Sequence, residues 1–147
     1  MSRKSAQRHA SLLISGPGWH ALVQIDIERI GLGPHGSQIF SELMAAARSG
    51  LPVSTIILAA TLADVALYEG ASYHGEDADI MGMGLDWLSA GERRRLDWLR
   101  GRRNGIVHHE GPVDGLMDQD GDSQLLAADA DRALLALAPL LEGLERF

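Results

Sequence analysis

Between Pro52 and Glu69 the chain is apolar on nearly every side. A helix of that kind has no face to offer water, so it belongs in the middle of other helices. Gly50 stops whatever precedes it and Gly70 closes it, while Pro52 suits a first helical position, where its missing N–H costs nothing. The longest apolar stretch within it, Ile56 to Leu67, is interrupted by Thr61 and Asp64 and falls short of the ~18 residues a membrane span requires. The sequence therefore calls for several amphipathic partners packed around this one segment.

The rest of the chain supplies them. Ser37 reads as an N-cap after the Gly-Pro-His-Gly breakers, followed by a helix over residues 38–48 with Ile39, Leu43, Ala46 and Ala47 at helical spacing. Ser89 and Glu92 fit a capping box, which predicts a helix from about Ala90 to about His108. The tetrapeptide Leu-Asp-Trp-Leu occurs at 85–88 and again at 96–99. Because the box intervenes, a short first helix breaking near Ser89 is preferred to one helix carrying both tryptophans. Residues 123–145 place Leu126, Ala130, Leu134, Leu137, Leu141 and Leu144 on one stripe, with Pro139 expected to bend or break the last turns.

Elsewhere the pattern is weaker. Ala21 to Ile27 partly alternates like a strand but has no strand to pair with, so it reads as a short helix or irregular packing segment. Residues 71–84 and 110–122 read as breaker-rich loops, and residues 1–10 as a loose basic arm. The expected fold is all-α: an antiparallel helical bundle of about four main helices with an irregular N-terminal segment. At 147 residues this is a single domain over 11–147.

Composition removes whole classes of function. The chain has no cysteine, so disulfide scaffolds, thiolate metal sites and cysteine nucleophiles are excluded. The N-terminus lacks the apolar core of a secretory signal, and a cytoplasmic location is expected. Formal net charge is −7, which excludes a uniformly basic nucleic-acid binder. The charge is nonetheless segregated. Six of the thirteen basic side chains are Arg93, Arg94, Arg95, Arg100, Arg102 and Arg103, whereas from Glu110 onward there are nine acids and two bases. An arginine-dense segment on an acidic body can focus an anionic ligand, although a solvated helix face produces the same pattern.

Three other constellations carry less. Asp118-Gln-Asp120-Gly-Asp122 resembles the opening of a calcium loop, but the sixth position is Ser123 rather than Gly and the twelfth is Asp129 rather than Glu. An acidic loop favouring the start of the last helix is the better reading. Residues 73–79 hold His74, Glu76, Asp77 and Asp79 but read as a solvated loop. Asp64 and Glu69 in the apolar helix could serve a function, but a polar edge or an interface is the better reading. No phosphate-binding glycine loop, serine-hydrolase elbow or His-Glu-x-x-His pattern is present. No metal and no cofactor is expected.

The segment from Leu99 to Glu110, LRGRRNGIVHHE, has definite chemical potential. Arginine is always cationic and grips phosphate through paired N–H donors. Histidine titrates near pH 6.5 and can move protons. Together they suit phosphodiester cleavage by general acid–base catalysis without a metal.

Arg103-Asn104-Gly105-Ile106-Val107-His108 resembles the arginine-x4-to-6-histidine motif of the HEPN superfamily, small all-helical domains of which many are metal-independent endoribonucleases. The resemblance covers about twelve residues. It implies single-stranded RNA as substrate and a homodimer joined through the motif helix, in which two arginines and two histidines share one cleft. A toxin role with a cognate antitoxin partner would follow from some members. Arg103 matches the motif arginine, Asn104 its polar neighbour and His108 the motif histidine. His109 also satisfies the looser spacing. Arg100, Arg102 and Arg95 would steer the RNA backbone. Some toxins of the family carry tyrosine two residues after the histidine; Glu110 stands there, which argues against regulation by adenylylation of that tyrosine.

Helical geometry adds a constraint. Five steps of about 100° put Arg103 and His108 about 140° apart, while Asn104 and His108 share a face. Two copies related by a two-fold axis would solve this more simply than one. A non-catalytic helical adaptor is the alternative. It would tolerate an Arg103 paired with an acid, where a ribonuclease requires Arg103 and His108 within reach of one phosphate.

Overall fold

The computed structural model describes residues 14–74, 87–109 and 111–145, and their side chains except over 69–74. The described residues are all-α, without strands, and form a helical bundle. The six helices are α1 (Pro17–Val23), α2 (Ile27–Ile30), α3 (Gly33–Arg48), α4 (Pro52–His74), α5 (Ala90–Val107) and α6 (Asp122–Glu145). The four long ones, α3 to α6, are the expected main helices. The basic arm of residues 1–10 and most of the 71–84 connector lie outside the described residues.

The apolar α4 is central, packing against α3, α5 and α6. Ile56, Ala59, Ala60, Leu62, Ala63 and Ala66 are buried there. Its two threonine hydroxyls return to the backbone one turn back: Thr55 Oγ1 donates to the Leu51 carbonyl at 2.7 Å and Thr61 Oγ1 to that of Ile57 at 2.8 Å. Gly70 does not stop the helix, which continues to His74. One interior glycine costs only about 1 kcal/mol relative to alanine, too little to end a helix on its own.

Facing α4 is α6, with Leu134, Leu137, Leu140 and Leu141 fully buried. Pro139 lies inside α6 without ending it. Proline cannot donate to the carbonyl four residues back, yet burial on both sides of that point holds the helix together. The start of α3 also differs from expectation. It begins at Gly33 with Pro34 in the first turn, and Ser37 lies inside the helix. Proline fixes φ at a helical value, so nucleation begins there.

The irregular N-terminal segment resolves into α1 and α2, and its anchor is remote in sequence. Asp131 of α6 accepts the Gly18 N–H at Oδ2 and the Trp19 N–H at Oδ1, both at 2.9 Å. One carboxylate thus caps α1 from 113 and 112 residues away. The approach is close enough that a methyl group at Gly18 would overlap the Asp131 carbonyl.

The capping box forms as read: Glu92 N–H donates to Ser89 Oγ at 3.1 Å, and Ser89 N–H to Glu92 Oε1 at 2.8 Å. Ser89 is extended, so Trp87 and Trp98 do not share a helix. Trp87 packs on Gly143 of α6, where a Cβ would overlap the indole. Leu85 and Asp86 lie outside the described residues.

Candidate functional site

Helix α5 sits over the seam between α4 and α6, and consecutive arginines reach opposite walls. Arg102 extends to α6, where its Nε donates to Asp129 Oδ2 at 2.9 Å and its Nη2 donates to the Asp114 carbonyl. Its side chain is 13% exposed. Arg103 extends to α4, donating from Nη1 to Asp64 Oδ2 at 2.8 Å. Arg100, one turn earlier, joins the same carboxylate, with Nε and Nη2 each 3.0 Å from Oδ1. This divergence follows from the 100° helical step between neighbours.

The placement sorts the candidate residues. Arg102 was grouped by sequence with the RNA-facing arginines; it is held between α6 and the loop after α5, where it acts as a strut. Arg100 and Arg103 keep 34% and 22% of their side chains exposed. Arg95 is exposed beside Arg93 and Arg94 near the start of α5. Asn104 is exposed, and its Oδ1 accepts the Arg103 Nε–H at 3.3 Å.

The two histidines differ in backbone. His108 is the C-cap of α5, donating its N–H to the Asn104 carbonyl at 2.9 Å, and its side chain is exposed. His109 has φ of 51°, the left-handed conformation usual for the residue that terminates a helix, where glycine is favoured. His108 and Asn104 lie on one outward strip of α5; Arg103 lies on the α4 side. Within one chain Arg103 is paired with an acid, and its guanidinium and the His108 ring leave the helix in different directions.

A shallow cleft of 290 Å³ opens between the last turns of α5 and the following loop, lined by Gly101, Arg102, Gly105, Gly111, Pro112, Val113 and Asp114. Its floor exists because positions 101 and 105 carry no side chain. A larger hollow of 400 Å³ lies between the α1–α2 segment and α3 and contains none of the motif residues.

The acidic segment after α5 is a turn. Asp122 Oδ2 accepts the N–H groups of Met117 and Gln119 at 3.0 and 2.9 Å, and Asp129 is engaged by Arg102. Among the described residues, no three His, Asp or Glu side chains are grouped to hold a metal ion, and no helix is long and apolar enough to cross a membrane.

Sequence reasoning places Asp64 at a polar edge or interface and does not connect it with Arg100 and Arg103. Its signal was present: it is the only charged residue between Pro52 and Tyr68. A lone carboxylate on a helix destined for the core requires a cationic partner.

No family model matches the chain, and no similar curated protein or solved structure was found.

Proposed function

We propose that this protein is a metal-independent endoribonuclease that cleaves single-stranded RNA at a site completed by a second copy of the chain. The observation that carries the reading is the division of labour on α5. Arg103 is fixed beside Arg100 on the α4 side, while Asn104 and His108 occupy an adjoining strip left open to solvent. Packing two such strips across a two-fold axis would bring the histidine of one copy to the arginine of the other.

The chemistry then follows from the residues. A neutral histidine takes the proton of a ribose 2′-hydroxyl, and that oxygen attacks phosphorus. The 5′-oxygen leaves with a proton from a second, protonated histidine. The products are a 2′,3′-cyclic phosphate and a 5′-hydroxyl. Arg103 stabilises the charge that builds on the phosphoryl oxygens, and the Asn104 amide orients one of them. Arg95, Arg93 and Arg94 attract the backbone, which makes binding fall with salt. This is the chemistry that the HEPN resemblance implies, with a cytoplasmic setting and an antitoxin as partner in keeping with it.

A second reading, the non-catalytic adaptor, has two observations in its favour: Arg103 is ion-paired with Asp64, and within one chain Arg103 and His108 leave the helix in different directions. Cleavage of a fluorescent single-stranded RNA in EDTA separates the two. The wild type should yield cyclic-phosphate ends, and Arg103→Ala and His108→Ala should each abolish them. An intact RNA in every case would favour the adaptor.

A further inference from the structure

We infer that Asp64 is the positioning residue of this site: it holds Arg103 and Arg100 as a two-armed phosphate clamp. This rests on the ribonuclease reading above. Each carboxylate oxygen takes one guanidinium, Oδ1 that of Arg100 and Oδ2 that of Arg103. Arg103 is further held through Nε by Asn104. Its Nη2 and the second N–H of its Nη1 have no partner among the described residues, and neither does Arg100 Nη1.

The charge count gives the cluster its character. Two cations and one anion leave a net charge of +1 at a point where the side chains are 22% to 34% exposed. The second arginine leaves a surplus that a phosphate oxygen neutralises. Without Asp64 the two guanidiniums repel each other and swing apart into solvent. With it, both planes are fixed before substrate arrives, which is where orientation contributes most to rate. Asp64 itself carries the wrong sign to touch phosphate; it acts through the arginines.

The test compares wild type, Asp64→Asn, Asp64→Glu and Arg103→Ala as full-length proteins on one single-stranded RNA in EDTA, with thermal melts alongside. Asp64→Asn keeps the shape but removes the negative charge. Its kcat should fall about 100-fold, the cost of roughly 1 Å of misplacement. Its KM should stay level or drop, because the site has become more positive. Asp64→Glu should regain part of kcat, and all variants should melt as folded proteins. A purely structural Asp64 would lower activity only in step with the folded fraction read from the melts; that result overturns the inference. An active wild type matched by Asp64→Asn overturns the inference alone. A wild type that leaves the RNA intact overturns the ribonuclease reading and the inference together.

Discussion

Helices α5 and α6 lie side by side but are held by different forces. In α6, eleven of 24 residues are buried, and the helix is fixed by leucine and alanine packing against α4 and α1. In α5, only Leu96 and Leu99 of 18 residues are buried. Beyond these two and the partly buried Trp98 and Ile106, the attachment of α5 is mainly ionic. Asp64 holds it on one side and Asp129 on the other, and the Arg132 guanidinium lies 4.0 Å over the Trp98 ring. Apolar contact is non-directional and gives α6 its stability. Ion pairs depend on angle and distance, so they fix the rotation of α5 more than they stabilise it. A helix attached in this way can keep one face open while its arginines stay in place.

The largest break in this comparison comes from the apolar side. Leu137→Ala removes a fully buried side chain and should cost about 2–5 kcal/mol in urea unfolding. A loss under 1 kcal/mol would mean that α6 does not carry the core. Asp129→Ala comes next. Its partner Arg102 is 13% exposed, and the pair lies between the exposed and the fully buried cases, so about 2 kcal/mol is expected. The same substitution should loosen the loop at Asp114, which Arg102 also holds, seen as faster amide exchange over residues 111–116.

The smallest effect has the opposite sign. His109 occupies the left-handed region, which costs an L-residue roughly 1–2 kcal/mol relative to glycine. His109→Gly should therefore raise stability by about 1 kcal/mol, measured by the same unfolding curve. If His108 is the proton carrier, this variant also keeps cleaving RNA. Loss of cleavage by a more stable His109→Gly would transfer the role to His109.

The sequence revealed the parts whose signals are local. The Gly50–Pro52 punctuation, the Ser89–Glu92 box and the leucine stripe of α6 each act within a few residues of where they stand, and each reads correctly. Apart from Ser37, whose cap reading lost to the nearby Pro34, most of what stayed hidden depends on distant partners. The cap of α1 is Asp131, and no pattern within residues 14–30 points to it. Gly70 looked like a terminus because a glycine's weak local preference cannot be weighed against unseen packing. At the candidate site, helical phase separates Arg102 from Arg103, yet only the arrangement of α4 and α6 decides which arginine meets which acid. The segment that carries the candidate motif was therefore readable, while its pairing with Asp64 was not.

The proposed site requires one copy's arginine to work with the other copy's histidine. Complementation between two inactive variants tests it most directly. Arg103→Ala and His108→Ala would be co-expressed with different tags and purified as the hybrid through both. A site shared between copies predicts that the hybrid regains a measurable fraction of wild-type RNA cleavage, since Arg103 of one chain and His108 of the other remain intact. A hybrid as inactive as either parent, beside a wild type that cleaves, would contradict it.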